Sequence, residues 1–190
     1  MKNLFILLLI LAISVVFVAA DPIKEGDSIK LKIGDSAPDF KLLDDAGNWR
    51  TLSEFKGQYL VIYFYPKDDT PGCTKEACGF RDDYSAFEKE KVAVIGISYD
   101  SVESHKQFKL KYNLPFILLS DDKKEVATAY GAARGILKSL FPERITFLID
   151  PEAKIFHIFD QVAVTEHAGE VLKQIMVHKK SVKPATQPKQ

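Results

Sequence analysis

Cysteine is scarce in this chain of 190 residues, and neither sign of charge prevails. Two cysteines are too few for a disulfide scaffold, which excludes the small disulfide-stapled folds. Lys plus Arg and Asp plus Glu each number 26, so the basic excess of a nucleic-acid-binding protein is missing and no nucleic-acid partner is expected. A content of 46% hydrophobic and 27% charged residues is typical of a soluble globular domain.

Only one long hydrophobic run is present, and it lies at the start of the chain. Lys2 supplies a positive charge, residues 4–18 are apolar or small, and Val18-Ala19-Ala20 offers a small-residue cleavage site. This pattern predicts a signal peptide over residues 1–20, cleaved after Ala20. Because the run is slightly short of the roughly 20 residues of a bilayer span, an uncleaved membrane anchor is the alternative. We expect an exported protein, periplasmic or secreted, without stable membrane contact once the leader is removed.

The remainder is typical of one α/β domain over residues 21–178. Alternation over residues 28–33 predicts a half-buried edge strand, and residues 40–52 predict a hairpin. Tyr59 to Tyr65 is apolar throughout, as in a strand that is covered on both faces. Later strands alternate with helical patterns and end in a hairpin and a helix, which predicts a mixed central sheet flanked by helices. Residues 179–190 are basic and rich in Lys and Pro, which predicts a disordered tail.

Both cysteines lie in the segment that joins the most apolar strand to the next helix. Thr70 suits the N-cap and Pro71 suits the first helical position, which places Cys73 in the first turn. The unpaired amides and the positive dipole end of a helix favour an anion there. The thiolate form of Cys73 is therefore favoured, and a nucleophilic cysteine is predicted.

The spacing of the two cysteines bears on whether they form a structural disulfide. Cα atoms five residues apart in an ideal helix are separated by roughly 8.5 Å, whereas a disulfide needs about 4.4–6.8 Å. A bond between Cys73 and Cys78 thus requires the first turns to unwind. Redox chemistry is favoured, and a structural disulfide stays the alternative.

The remaining polar candidates are interpreted as structural. No histidine lies near the cysteines in sequence or at ligand spacing, so neither a metal site nor a cofactor is expected. Each histidine is predicted to be a surface or packing residue; the four are His105, His157, His167 and His178. Glu76 is expected to form an exposed pair with Arg81 on the next helical turn.

The residues around Cys73 resemble a known family. Pro66-x-x-x-Thr70-x-x-Cys73 is similar to the active-site motif of the peroxiredoxins. The stretch from Tyr63 to Thr74, with a second cysteine five positions after the first, resembles the bacterioferritin comigratory protein, or peroxiredoxin Q, branch. The resemblance extends over about residues 33–178.

The resemblance implies a thioredoxin-like fold with an N-terminal β extension and a thiol-dependent peroxidase that reduces hydrogen peroxide and alkyl hydroperoxides. It implies that Cys73 is the peroxidatic cysteine and that Cys78 resolves its sulfenic acid as an intramolecular disulfide. Thr70 would hydrogen-bond the peroxide and the sulfur, Arg144 would stabilise the thiolate and the departing oxygen, and Pro66 would shield the sulfur from water. The expected partners are the peroxide and a thioredoxin-like reductant, and a monomer suffices.

One feature departs from the pattern of this branch. The resemblance to this branch implies a cytoplasmic protein that thioredoxin reduces, whereas the leader predicts export. The electron donor therefore stays open. An exported thiol–disulfide oxidoreductase of thioredoxin type is the alternative function, although it favours a gap of two residues between the cysteines and the gap here is four. A non-catalytic protein with a vestigial site is the third interpretation.

Overall fold

Seven strands form one mixed sheet in the computed structural model, which describes residues 31–137 and 139–182. The strands are β1 (Lys41–Asp44), β2 (Trp49–Thr51), β3 (Tyr59–Phe64), β4 (Val92–Ser98), β5 (Ile117–Ser120), β6 (Ile145–Ile149) and β7 (Ile155–Phe159). Their order is β2-β1-β5-β4-β3-β6-β7. The strands β3, β4 and β5 are parallel, and the others pair antiparallel. The predicted α/β fold with a mixed central sheet is confirmed.

Five α-helices and one 3₁₀ turn (Leu52–Phe55) accompany the sheet in the described residues. The helices are α1 (Pro71–Asp82), α2 (Tyr84–Lys89), α3 (Val102–Tyr112), α4 (Glu125–Ala129) and α5 (His167–Val182). The helical pattern that follows β3 is divided at Asp83 into α1 and α2. Ser101 caps α3 by accepting from the Ser104 amide, and Asn113 ends that helix in the left-handed conformation.

The central strand β3 divides the core into two layers, because alternate side chains of a strand point to opposite faces. Leu60, Ile62 and Phe64 face a cluster that includes residues of α4 and the 3₁₀ turn. Val61 and Tyr63 face a cluster that includes residues of α1, α2, α3 and α5. All six residues of β3 are buried, as its unbroken apolar sequence predicts.

The start of the described chain differs from its prediction. Residues 31–33 form no strand, and Ile33 is 65% exposed. The Asp35 carboxylate accepts from the Lys32 amide at 2.8 Å, and the Asp35 amide donates to the Lys32 carbonyl at 3.1 Å, so local hydrogen bonds close a turn instead. The predicted edge strand over 28–33 is therefore wrong for residues 31–33, while residues 28–30 lie outside the described part.

The C-terminal helix extends further than its prediction. It runs to Val182, four residues into the segment predicted as a tail. The ring of His178 stacks on Phe156 at 4.1 Å, and Lys179 Nζ donates to Glu90 Oε2 at 3.1 Å, so these last turns are packed against the domain. The predicted tail thus begins too early, and its residues 183–190 lie outside the described part. The predicted signal peptide over 1–20 lies outside it as well.

The topology brings two chain segments to one end of the sheet. The chain leaves β3 after Phe64 and enters α1 at Pro71. The neighbouring strand β6 runs antiparallel and pairs Ile145 with Phe64, so Arg144, which directly precedes β6, lies at the same end. Within the described residues, no helix is both long and apolar enough to cross a membrane.

Candidate active site

The first turn of α1 presents Cys73 in a protected position. Thr70 is the N-cap residue and Pro71 follows it, as predicted. The Thr70 hydroxyl donates to the Lys67 carbonyl at 3.0 Å and makes no capping hydrogen bond. The amides of Gly72 and Cys73 in the first turn therefore receive no capping acceptor from this side chain. Cys73 is 2% exposed, Cys78 is half-buried, and both thiols are free.

Arg144 reaches Cys73 from the neighbouring strand. Its Nη2 donates to the Cys73 sulfur at 3.2 Å. A Cβ atom at Gly72 would lie 3.5 Å from the same nitrogen, so the guanidinium also rests against the backbone of the first turn. A fixed cation and the helix terminus thus converge on one sulfur.

Glu76 holds the other arm of Arg144. Nη1 of Arg144 donates to Glu76 Oε2, while Glu76 Oε1 has no hydrogen-bond partner and the residue is 1% exposed. Burial raises the pKa of the Glu76 carboxyl to about 7, against the opposing influence of Arg144. The pKa of Arg144 is raised in turn, because Glu76 and Cys73 outweigh the opposite effect of burial.

The exposed pair expected between Glu76 and Arg81 is therefore wrong. Glu76 lies on the same helical face as Cys73, Ala77 and Phe80, all of which point into the core. Arg81 instead donates to the Asp82 carboxylate and to the Tyr112 carbonyl, at 2.8 and 2.9 Å. A buried carboxylate needs hydrogen bonds or an opposite charge, and for Glu76 that charge comes from a position 68 residues later in the chain.

His167 closes the buried side of this cluster, and the sequence carried no signal for it. The residue is fully buried, and its Nε2 lies 2.8 Å from Thr146 Oγ1 and 3.9 Å from Glu76 Oε1. Burial, and then the nearby charge of Arg144, lower the pKa of His167 to about 4, so the ring is neutral at pH 7. The His167 ring packs edge-on against Phe80 and Phe159, which fits the predicted packing role. The sequence does not predict its position beside Glu76.

The structure therefore brings Cys73, Arg144 and Glu76 into direct contact. It places Thr70 and the half-buried Pro66 in the loop between β3 and α1. Cys78 lies five residues further along the same helix as Cys73. Among the described residues, no group of three or more His, Cys, Asp or Glu side chains is arranged to hold a metal ion. What the arrangement offers is a nucleophilic sulfur with hydrogen-bond donors directed at it.

Comparisons with known proteins place this site in a family. Residues 33–158 match the model of the AhpC/TSA family. The chain is 45% identical over 151 residues to peroxiredoxin Bcp of Bacillus subtilis, covering 76% of this chain and 95% of that protein. It is 46% identical over 145 residues to the chloroplastic peroxiredoxin Q of Oryza sativa subsp. japonica, covering 76% and 66%.

A solved structure agrees with the sequence comparisons. The crystal structure of peroxidoxin BcpB from Mycobacterium tuberculosis superposes with a TM-score of 0.73 at 35% identity, covering 81% of this chain and 99% of that one. The thioredoxin-like fold expected from the resemblance is confirmed. The same matches favour a thiol-dependent peroxidase over the thiol–disulfide oxidoreductase. The chain belongs to the AhpC/TSA family, in the Bcp and peroxiredoxin Q branch of the peroxiredoxins.

Proposed function

We propose that Cys73 is the peroxidatic cysteine of this thiol-dependent peroxidase and that Arg144 is its catalytic cation. The observation that carries the proposal is the forked contact of Arg144, which joins the Cys73 sulfur to the buried Glu76 carboxylate. Glu76 fixes the direction of the guanidinium, so the second arm stays on the sulfur. A planar guanidinium suits this task because it forms two directed hydrogen bonds and keeps its charge.

In the first chemical step, the Cys73 thiolate attacks one oxygen of the peroxide. A sulfur–oxygen bond forms as the oxygen–oxygen bond breaks, which leaves a sulfenic acid on Cys73. The departing oxygen gains a proton and leaves as water or as an alcohol. Arg144 and the amides of the first turn are donors that stabilise the charge on that oxygen. The Thr70 hydroxyl joins them when it turns from the Lys67 carbonyl toward the peroxide, and Pro66 shields the sulfur from water.

In the second step, we infer that Cys78 resolves the sulfenic acid. The Cys78 thiolate attacks the Cys73 sulfur, a disulfide forms, and the oxygen leaves as water after it gains a proton. Both residues lie in the continuous helix α1, and ideal helical geometry separates their Cα atoms by roughly 8.5 Å. The helix must therefore unwind around them before the disulfide forms. A thioredoxin-like protein then returns two electrons to the disulfide.

The substrate and cellular setting follow from the same chemistry and from the leader. The proposed substrates are hydrogen peroxide and alkyl hydroperoxides. Because both cysteines belong to one helix, one chain completes the cycle and a monomer is sufficient. The pattern of residues 1–20 supports export with cleavage after Ala20. Mass spectrometry of the protein from its native source should then find Asp21 as the first residue, and a detergent-extracted full-length chain would support the membrane anchor.

Consumption of peroxide in the presence of a reductant tests the proposal. The purified protein should consume hydrogen peroxide catalytically with dithiothreitol or with thioredoxin and thioredoxin reductase. One disulfide between Cys73 and Cys78 should appear by peptide mass mapping after a single equivalent of peroxide. Peroxide consumption without that disulfide would retain the peroxidase and overturn the role of Cys78. Absence of consumption with every donor would overturn the proposed function.

A further inference from the structure

The loop that leads into α1 contains a second buried carboxylate, Asp68, which is 7% exposed. Three side chains surround its oxygens. Tyr65 donates to Oδ1 at 2.7 Å, Ser104 donates to Oδ2 at 2.8 Å, and His105 Nδ1 lies 2.9 Å from Oδ2. Asp68 thus has a hydrogen-bond partner at each of its oxygens.

His105 is fully buried, and both of its ring nitrogens face oxygen atoms. Nε2 lies 3.1 Å from the Leu119 carbonyl oxygen, and Nδ1 lies 2.9 Å from Asp68 Oδ2. A carbonyl oxygen only accepts, so Nε2 carries a proton and donates it. The 2.9 Å contact between Nδ1 and Asp68 Oδ2 contains one further proton, on the ring or on the carboxyl group. The two side chains are therefore joined by a shared proton, and the pair as a whole carries no net charge.

We propose that His105 and Asp68 form a buried, hydrogen-bonded pair that positions the loop of the active site. The two residues touch no reacting atom and act through the loop that holds Pro66 and Thr70. This inference rests on the proposed function only for its effect on the peroxide reaction. The pair itself is defined by the hydrogen-bond partners of His105.

The position of the pair explains why it would control the loop. Asp68 lies two residues after Pro66 and two before Thr70. Its amide donates to Asp100 Oδ2 at 2.9 Å, which ties the backbone to the segment that follows β4. The next residue, Asp69, has a left-handed backbone (φ 57°), and its carboxylate accepts from Lys111 and Tyr112 of α3. The loop is therefore held by side chains of α3 and of the segment that precedes it.

Each member of the pair satisfies a buried polar atom of the other. Removal of one partner leaves a buried polar group without its hydrogen bond, which is destabilising locally. Loss of either member should therefore release Asp68 from α3. Lys67 directly precedes Asp68, and its carbonyl orients the Thr70 hydroxyl by accepting its hydrogen bond. Displacement of the loop at Asp68 therefore moves the Thr70 hydroxyl.

Nuclear magnetic resonance of the reduced ¹⁵N-labelled protein tests for the shared proton. Two proton resonances are expected from the ring contacts of His105, one on Nε2 and one between Nδ1 and Asp68. Both should be lost in His105→Gln, which assigns them. The other groups that face the ring are Tyr65 and, one hydrogen bond further, Asp100. Absence of the resonance between Nδ1 and Asp68 in the wild-type protein would overturn the pair.

The rate of Cys73 oxidation tests the positioning role. His105→Gln and Asp68→Asn should each lower the second-order rate with hydrogen peroxide by about 10-fold to 100-fold, as expected for a displaced catalytic group. The later conversion of sulfenic acid to disulfide should change little, because the loop does not carry Cys78. Urea unfolding confirms that each variant is folded. Lys106→Gln, next to His105 and exposed on α3, is the matched control and should keep the normal rate.

The double variant separates a pair from two independent residues. Asp68→Asn combined with His105→Gln should lose no more rate than either single change, because each single change already removes the interaction between the two residues. Multiplied losses, or normal rates in folded single variants, would overturn the proposal. A wild-type protein that consumes no peroxide would instead overturn the proposed function, while the resonance measurement would still decide whether His105 and Asp68 share a proton.

Discussion

Two buried carboxylates lie on either side of Cys73, and their surroundings differ. Asp68 precedes the cysteine in the loop and is contacted by Tyr65, Ser104 and His105. Glu76 follows the cysteine in α1 and is contacted by Arg144 at one oxygen only, with its other oxygen unpartnered. Asp68 thus has hydrogen-bond partners at both oxygens, whereas Glu76 has one hydrogen-bond partner, the Arg144 guanidinium.

This difference matches what the two segments must do in the proposed cycle. The loop at Asp68 must keep its shape while peroxide is bound and cleaved. The helix at Glu76 must open so that Cys78 can reach Cys73. A buried carboxylate with a single partner costs free energy when it is ionised. The helix therefore contains a group that gains hydration when the turn unwinds, at the place where unwinding is needed.

The largest expected effect comes from removal of the Cys73 sulfur. Cys73→Ser should abolish peroxide consumption, because the proposed chemistry forms a bond to that sulfur. Cys78→Ser should permit one stoichiometric turnover and then accumulate sulfenic acid, detected with a dimedone-type reagent. Rapid-quench counting of peroxide consumed per chain distinguishes the two. Steady turnover by Cys73→Ser would place the reaction elsewhere in the molecule.

Substitution of the cation that links Glu76 to Cys73 should have the next largest effect. Arg144→Lys keeps the charge but loses the fork, so one nitrogen cannot hold both the carboxylate and the sulfur. The second-order rate with peroxide should fall by about 10²–10³, as for the loss of one donor aimed at developing charge. Arg134→Lys, on the loop before β6, is the matched control. An unchanged rate would remove Arg144 from the reacting site.

Glu76→Gln tests the difference between the two buried carboxylates through the pH dependence of the unfolding free energy. The folded-state pKa of Glu76 is raised to about 7, so protonation favours the folded protein. This contribution is fully present below the unfolded pKa, near 4.5, and is lost as pH rises through about 7. The unfolding free energy of wild type relative to Glu76→Gln should thus fall by on the order of 3 kcal/mol across that window.

Urea unfolding at several pH values measures this difference, with Glu88→Gln on the exposed surface of α2 as the control. A relative stability that rises with pH would show that Arg144 stabilises the ionised carboxylate more than burial penalises it. The same charge should influence the cycle, because the unwound turn is favoured when Glu76 is ionised. Disulfide formation should therefore be faster above pH 7 in wild type than in Glu76→Gln, relative to their rates at pH 6.

The smallest expected effect is the local unwinding of α1, which hydrogen exchange measures. Amides of residues 74–79 should lose protection in the disulfide form, while those of residues 84–88 keep it, because Phe87 is fully buried. Amides of α3 around His105 should also keep their protection if the loop anchor is rigid. Equal protection of residues 74–79 in both redox forms would indicate that another thiol resolves Cys73.

Much of the framework was predictable because its signals are local. The unbroken apolar run of β3 predicts a covered central strand, and Thr70-Pro71 predicts the start of α1 with Cys73 in its first turn. Arg144 was predicted through the family resemblance and lies at the sulfur. These expectations depend on periodicity, capping and a motif, all of which are present in short stretches of chain.

The failures involve polar residues whose partners are distant in sequence. Glu76 is a charged residue of the kind expected at an exposed helix position. Only its pairing with Arg144, 68 residues later, makes its burial possible. His167 gave no local signal because its neighbours Glu76 and Thr146 come from α1 and β6. The turn at residues 31–35 replaced a predicted strand because one carboxylate, Asp35, satisfied the backbone locally.

The sequence by itself therefore determined the family, the central sheet and the position of Cys73 at a helix start. The tertiary structure alone decided which carboxylates and histidines would be buried beside that cysteine, and with which partners. The physical reason is that burial of a polar group is stable only when a complementary group is brought to hydrogen-bonding distance. That distance is set by the packing of β6, α3 and α5 against the segment containing Cys73.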